Sequence, residues 1–209
     1  MSSMLRIHSL DLLGGHPVLD FVNTLDWRAR ATSAGGPVEC LVSYEALLVW
    51  GERAGLLTAA ERSQLETFGR AQPGRAAVAL SDALVLREAI YRLLITASAG
   101  RPARPEDLQM VNRWLPSGRL ILAMSGEHYV WVKPDAQAEP GMLLARLAQA
   151  AGELLVSGGV QRVGCCAGPG CGWLYLDTSP NRQRRWCSMQ GCGNRAKAQR
   201  HYKRSRQRV

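Results

Sequence analysis

Apolar residues recur at intervals of three and four through roughly the first 155 residues, which predicts a series of amphipathic helices. Val18, Phe21 and Val22 share one side of the first of these helices. Pro17 suits its opening turn, and the pattern ends near Thr24. We therefore expect a helical core in this part of the chain.

Capping residues and helix breakers delimit the helices that follow. Thr58 and Glu61 stand three apart as a capping box, and Ser43 can cap the helix before it. The predicted helices run from Ser43 to Gly55, from Thr58 to about Phe68, from the breaker cluster at 72–75 to Ser98, from Pro105 to about Leu115, and from Met142 to Val156.

Apolar and polar residues alternate at three places, which predicts strands. A short strand is expected at Leu5–Leu10. The runs Arg119–Met124 and His128–Val132 alternate on either side of a turn at 125–127, as is typical of a β-hairpin. The predicted fold class is therefore α+β, with residues 1–157 forming a mainly helical domain that contains a small β-hairpin.

Four cysteines near the carboxy-terminal end form two pairs with identical spacers. Four residues separate Cys166 from Cys171, four separate Cys187 from Cys192, and fifteen lie between the pairs. A short spacer lets two thiolates from one turn point at a common centre, and two such turns complete the tetrahedral sulfur site that Zn²⁺ accepts readily. Because four protein ligands leave no open position for water, the spacing predicts one structural zinc ion.

Disulfide bonds are the alternative for an even number of cysteines. A chain of 209 residues can bury an ordinary core without them, and five of its six cysteines crowd into 28 residues. Residues 1–11 also lack the residue order of a secretory signal peptide. Cys165 would give a spacer of five where Cys166 gives four, so Cys166 is the predicted ligand. The isolated Cys40 is expected to be a small buried residue.

The sequence between and after the cysteine pairs predicts the rest of a zinc-finger module. Gly172–Leu176 alternates as a short strand, and Arg182–Trp186 can return as its partner after a turn. A helix is expected from about Asn194. The module would therefore consist of a knuckle (a cysteine pair with its turn), a hairpin, a second knuckle and a helix, behind a hinge at 157–159.

Positive charge is concentrated in residues 161–209. The chain has 26 Lys or Arg and 17 Asp or Glu, a net charge of +9. Eleven of these bases and one acid, Asp177, lie in residues 161–209, which leaves fifteen bases and sixteen acids for the first 160 residues. A nearly neutral body with a cationic end is the asymmetry expected of a protein that binds a polyanion. We therefore predict that residues 161–209 form a nucleic-acid-binding domain.

Cations from the predicted hairpin and the terminal helix could meet phosphates. The predicted contacts are Arg182, Arg184, Arg185, Arg195, Lys197, Arg200, Lys203 and Arg204. On the terminal helix, Ala198, Tyr202 and Ser205 share one side that is expected to pack, which leaves a basic side free. Trp173 and Trp186 can stack on an unpaired base, with packing against the knuckles as the alternative. The sequence assigns no contact to a particular base.

Polar residues around the first helix suggest a second kind of site. The candidates for a ligand pocket are His16, Asp20, Asn23 and Trp27. Asp20 and Asn23 are three apart and could share a helix face that lines a small polar pocket. Hydrogen bonds that tie a helix to a loop are the alternative for these residue types. The chain has no serine-elbow, phosphate-loop or His-Glu-x-x-His motif, so we do not expect an enzyme.

Three stretches resemble known families. RRWCSMQGCGNR, residues 184–195, resembles the signature of the CGNR zinc-finger family of bacterial proteins, and CAGPGCGWLYLDTS, residues 166–179, is similar to its first knuckle and strand. GGHPVLDFVNTLDWR, residues 14–28, is similar to the opening of the ABATE domain that members of this family carry. The resemblance covers nearly the whole chain. It implies a zinc site at the four paired cysteines, a role in transcriptional regulation, and an amino-terminal domain that senses a ligand or a stress signal.

The leading prediction is a zinc-dependent DNA-binding protein whose helical domain receives a small-molecule effector or forms a homodimer. The alternatives are an RNA-binding protein, an interaction module that zinc merely stabilises and, last of the three, an enzyme with a site in the amino-terminal domain. The chain contains no run of about eighteen apolar residues, so no membrane partner is expected. Reduced thiols and the lack of a targeting segment predict a cytoplasmic protein.

Overall fold

The computed structural model describes residues 3–115, 121–125, 128–132 and 139–206. The helices span Ser3–Ser9 (α1), Pro17–Val22 (α2), Tyr44–Arg53 (α3), Ala59–Ala71 (α4), Pro73–Ser98 (α5), Pro105–Trp114 (α6), Met142–Val156 (α7) and Asn194–Arg206 (α8). The strands span Leu25–Asp26 (β1), Val38–Glu39 (β2), Ile121–Ser125 (β3), His128–Val132 (β4), Val163–Cys165 (β5) and Leu174–Leu176 (β6). They form the antiparallel pairs β1–β2, β3–β4 and β5–β6. The predicted α+β class with a mainly helical amino-terminal part is confirmed.

Side-chain caps set the starts of α3 and α4, as the sequence predicts. The Ala46 N–H donates to Ser43 Oγ at 3.1 Å, and Thr58 and Glu61 form both halves of a capping box. The predicted hairpin is the pair β3–β4, with Ser125 opposite His128. The predicted strand start at 119–120 and the turn residues 126–127 lie outside the described residues.

The predicted strand at Leu5–Leu10 is wrong, because residues Ser3–Ser9 form α1. Ile7 and Leu10 lie three residues apart, are 0% and 8% exposed, and belong to the core. Arg53 of α3 donates hydrogen bonds to the carbonyl groups of both residues, at 2.8 Å for Leu10. These tertiary contacts favour a helix over the strand that local alternation suggests.

The long helix α5 is central to the core, as predicted. It packs against α2, α3, α4, α6 and α7, and buries Ala83, Leu86, Ile90 and Leu94. Arg87, 3% exposed, donates to both carboxylate oxygens of Glu39 at 2.7 Å, which ties β2 to α5. Within the described residues, no helix combines the length and the apolar character needed to cross a bilayer.

The residues expected to form a hinge lead directly into packed structure. Gly158 adopts a left-handed conformation with φ of 72°, and Gly159–Arg162 forms a 3₁₀ turn that contacts α5 and α7. Val160 of this turn is 5% exposed. Strand β5 then contacts α5, and β6 contacts α2. One hydrophobic core therefore includes residues of the helical part and of the cysteine module.

Candidate metal centre and nucleic-acid interface

The side chains of Cys166, Cys171, Cys187 and Cys192 converge on one point. Their sulfur atoms all lie within 4.8 Å of one another, and all four residues are buried. The Sγ atom of Cys187 lies 3.8 Å from that of Cys171 and 3.7 Å from that of Cys192. Four sulfurs placed tetrahedrally about 2.3 Å from a zinc ion would be about 3.8 Å apart. The cluster therefore fits one Zn²⁺ with no open coordination position.

Cys165 lies outside the cluster and is exposed, whereas Cys166 is 6% exposed. The two residues are adjacent at the end of β5, where successive side chains point to opposite sides. The cluster thus contains Cys166, the cysteine that the equal spacers predict. Cys40 is buried, as expected for a small core residue.

Tight turns place the two cysteine pairs. In the first knuckle, the Cys166 N–H donates to the Trp173 carbonyl at 2.8 Å, and the Cys171 N–H donates to the Gly168 carbonyl at 3.0 Å. In the second, Met189–Gly193 forms a single π-helical turn that Ser188 caps by accepting from the Gly191 N–H at 3.3 Å. Helix α8 follows directly from this turn.

Hydrogen-bond donors surround the sulfur atoms. The N–H groups of Gly168 and Cys187 point at Cys166 Sγ, at 3.4 and 3.3 Å, and Arg195 Nη2 lies 3.1 Å from Cys192 Sγ. The neighbouring thiols of Cys171 and Cys187, together with these N–H groups, lower the pKa of Cys166. Donors of this kind stabilise the thiolates of a zinc centre, whose four sulfurs carry more negative charge than the ion neutralises.

Gly168 was not among the predicted site residues, yet it shapes the centre. A Cβ atom at this position would lie 2.7 Å from Cys192 Sγ and 3.4 Å from Cys166 Sγ. The backbone of the first knuckle can therefore approach the second pair only without a side chain here. A glycine two residues after the first cysteine of a short spacer is the sequence signal for this approach.

Strand β6 pairs with β5, so the predicted partner strand at Arg182–Trp186 is wrong. Residues 183–186 have no regular secondary structure. They follow a turn in which Asn181 and Arg182 have φ of 63° and 52°. Asp177 holds this turn by accepting hydrogen bonds from Ser179 and from the Arg184 N–H, at 2.6 to 3.0 Å.

Asn23 ties α2 to the zinc module. Its side-chain amide donates to the Leu174 carbonyl at 2.9 Å, and its Oδ1 accepts from the Leu174 N–H at 2.8 Å. Asp20 Oδ1 accepts from the Gly14 N–H at 2.7 Å, while the Gly14 carbonyl accepts from the Leu176 N–H at 2.7 Å. Burial raises the pKa of Asp20 to about 6, against the effect of the Gly14 hydrogen bond.

His16 and Trp27 complete the set of candidate pocket residues. His16 caps α2 by accepting from the Val18 N–H at 3.3 Å. The Trp27 ring contacts two guanidinium groups, 3.8 Å away for Arg30 and 4.5 Å away for Arg195. The polar groups of Asp20 and Asn23 are thus engaged with backbone groups, which supports the structural alternative for them. The ligand pocket stays a prediction.

Two of the eight predicted phosphate contacts, Arg184 and Arg195, tie the zinc module to the helical part. Arg184 is half-buried; its guanidinium lies 4.3 Å from the Tyr175 ring and donates to the carbonyl groups of Leu13, Leu176, Trp186 and Cys187. Arg195 contacts Cys192 and Trp27, as described above. Both therefore help to build the module.

The other predicted cations are exposed where their side chains are described. They are Arg182, Arg185, Lys197, Arg200 and Arg204; Arg206 is a further exposed cation, and the side chain of Lys203 lies outside the described residues. Trp173 is 7% exposed, which supports packing rather than base stacking. Trp186 is half-buried, with the Arg185 guanidinium 5.5 Å from its ring.

The predicted packing side of α8 is wrong. Ala198, Tyr202 and Ser205 are exposed, Tyr202 to 60%. Ala196 is instead the buried residue in the described part of this helix, at 9% exposure. Helix α8 contacts the second knuckle at its start and extends into solvent beyond it.

A mainly helical domain joined to a buried four-cysteine centre defines a class of zinc-finger proteins. Two family models match the chain: ABATE, described as "Putative stress-induced transcription regulator", over residues 15–158, and the CGNR zinc finger over residues 162–205. The chain therefore belongs to the ABATE family and carries a CGNR zinc finger. The family resemblance and the single structural zinc ion are confirmed. No curated protein matches the chain with a significant score.

Proposed function

We propose that this protein is a zinc-dependent DNA-binding transcription regulator in which the metal centre holds α8 ready to meet duplex DNA. The observation that carries this proposal is the composition and setting of α8. Its sequence, NRAKAQRHYKRSR, has six cations and no acid, and it begins two residues after the zinc ligand Cys192. At about 1.5 Å per residue the helix is roughly 20 Å long, and the major groove, about 12 Å wide, admits a helix.

The family description supports a regulatory role for the helical domain. In the proposed scheme this domain receives a small-molecule or stress signal, has no catalytic activity, and works in the cytoplasm, where thiols remain reduced. Two copies would bind more tightly than one small finger, so a homodimer is part of the proposal.

The decisive experiment compares zinc-loaded full-length protein with protein stripped by a chelator. Both are offered a pool of random duplex DNA across a series of salt concentrations, with structured RNA as competitor. If about six phosphates are neutralised, the log-log slope of affinity against salt should be near −5 on duplex DNA, and binding should be lost on stripping. Equal binding by both samples, or a slope near zero, would contradict the proposal. If structured RNA competes successfully against duplex DNA, the partner is RNA and not DNA.

Charge variants sharpen this test. Lys197→Gln and Arg204→Gln remove exposed cations from α8, and each should make the salt slope shallower by about 0.9. Arg101→Gln removes an exposed cation from the helical domain and serves as the matched control, with an unchanged slope expected.

A further inference from the structure

We infer that α8 reads DNA sequence through one stripe of short polar and small side chains, Asn194, Ala198, His201 and Ser205, which face base edges in the major groove. This inference rests on the proposed function and deepens it, since it names the residues that would set sequence preference. The sequence predicted the opposite side of this helix to be free, and the burial pattern of the structure changes that assignment.

Burial fixes how α8 is turned relative to the protein. Ala196, 9% exposed, marks the inner side of the helix. At about 100° per residue, the four stripe residues lie roughly 140–180° away from Ala196 and within an arc of about 60°. All four are exposed. The stripe is therefore the surface of α8 that faces away from the protein.

The metal centre fixes this orientation at the start of the helix. Cys192 is a zinc ligand, and Arg195 contacts both its sulfur, at 3.1 Å, and the Trp27 ring, at 4.5 Å. The helix therefore cannot rotate about its axis without breaking both contacts of Arg195. A fixed outward stripe is what a helix needs in order to present the same side chains to DNA each time it binds.

The side chains of the stripe have the chemistry of base recognition. An asparagine amide can bond both N6 and N7 of adenine, serine can bond several bases, and an alanine methyl group can contact that of thymine. The ring nitrogens of His201 can donate or accept. Because these side chains are short, the helix can lie deep in the groove.

Cations flank the stripe on both sides. Lys197 and Arg204 lie about 40–60° from it on one side, and Arg206 lies roughly 80° away on the other. All three are exposed. Long cationic side chains beside a short polar stripe match a groove whose floor carries base edges and whose walls carry phosphates. A second copy of α8 fits this surface poorly, since Tyr202 is the one large apolar side chain among its described residues and like charges would repel.

The test selects bound sequences from random duplexes with zinc-loaded full-length protein and with three alanine variants of exposed residues. His201→Ala and Asn194→Ala alter the stripe. Gln199→Ala is the matched control, because it lies on the same helix but only about 60° from the buried Ala196. Zinc content and helical circular dichroism establish that each variant is folded.

We expect the wild type to select a preferred site, and each stripe variant to lose preference at distinct positions by about tenfold while its affinity for random DNA stays nearly unchanged. Gln199→Ala should select the wild-type site. The inference is overturned if the wild type binds duplex DNA without preference, or if both stripe variants keep the wild-type site; either result leaves the proposed function standing. Absence of salt-dependent duplex binding by the wild type would overturn both.

Discussion

The guanidinium group of Arg184 holds together backbone segments that are distant in sequence. It donates to the Leu13 carbonyl before α2, to the Leu176 carbonyl in β6, and to the Cys187 carbonyl at the second knuckle. Charged donors to backbone carbonyls form stronger hydrogen bonds than neutral ones, and a planar fork can serve several acceptors at once. Its neighbour Arg185 is exposed, so adjacent arginines of one motif differ in their surroundings, and only Arg185 is free to serve the proposed contact with phosphate.

Asp20 should make the stability of the protein depend on pH. Its pKa is raised by burial from 3.8 to about 6 in the folded protein, so folding favours the protonated form. The protonated carboxyl group of Asp20 therefore stabilises the folded protein relative to high pH. This stabilisation is complete below about pH 4 and is lost as the pH rises through about 6. Asp20→Asn keeps an oxygen for the Gly14 N–H but cannot ionise. We therefore expect the unfolding free energy of the variant, measured relative to that of the wild type, to be about 1 kcal/mol higher at pH 8 than at pH 5.

Denaturant unfolding of the zinc-loaded proteins at the two pH values measures this difference. Asp11→Asn, at an exposed position, is the control and should follow the wild type. A gap between Asp20→Asn and wild type that does not change with pH would contradict the assignment.

At the scale of elements, the sequence predicts those with a strong local signal. Caps and breakers correctly place the starts of α3, α4 and α5, although α4 continues to Ala71, three residues beyond its predicted end, and the β3–β4 hairpin has clear alternation. Strand β5 has no such signal, because it is three residues long and contains Gly164. That glycine is needed since a Cβ there would lie 2.7 Å from the Tyr175 ring of β6. The true partner of β6 thus carries a residue that disfavours strands, whereas the basic run at 182–186 contains no glycine and its pattern predicts a strand.

The candidate site also has parts that a local sequence feature predicts and parts that depend on the folded structure. Equal spacers identify the four cysteines that converge, because a short cysteine pair is a local feature. The side of α8 that packs could not be found, since it depends on where the second knuckle lies. Ala196 and Ala198 are the same residue type two positions apart, and only the folded protein shows that Ala196 is the buried one.

The approach of the two knuckles depends on Gly168. In Gly168→Ala the new methyl group would collide with Cys192 Sγ, 2.7 Å away, so the sulfur or the backbone of the first knuckle must move. We expect zinc affinity to fall by about tenfold or more, because the ligand geometry is disturbed, with a loss of about 1–3 kcal/mol in stability. Competition with a chromophoric chelator measures the affinity.

Gly152→Ala is the matched control for this substitution. Gly152 lies within α7, and apart from its chain neighbours and the nearby backbone of α7 itself, no atom lies within 4 Å of the position of an added Cβ. This variant should bind zinc as the wild type does and gain about 0.5–1 kcal/mol in stability, since alanine favours the helix. Equal zinc affinities for the two variants would show that Gly168 has no special place in the centre.

At the scale of the whole molecule, the zinc finger and the helical domain share one core. The family matches meet between residues 158 and 162, yet Leu174 and Trp173 of the finger pack in the same cluster as Val22 and Leu147 of the helical part. A small finger gains stability when it is packed in this way, because it has few aliphatic residues of its own. Metal binding and the folding of the helices should therefore be coupled.

Asn23 lies where this coupling can be tested. In Asn23→Ala the buried Leu174 N–H and carbonyl lose their partners, which should cost about 2–4 kcal/mol. We expect thermal unfolding of the helices to shift down in a single transition and zinc to be released at the same lower temperature. Asn112→Ala, at an exposed position of α6, is the control and should unfold like the wild type. Release of zinc at a temperature well below the unfolding of the helices would show that the two parts are independent.

The exposed thiol of Cys165 is a site for selective chemical labelling. Cys40 is buried and the four clustered cysteines are occupied when zinc is bound, so one thiol of the six faces solvent. An alkylating dye added to the native holoprotein would therefore attach at a single defined place, next to the metal centre but not part of it. Fluorescent labelling could then follow the finger without an engineered cysteine, and dye-to-protein stoichiometry above one would report that the metal had been lost.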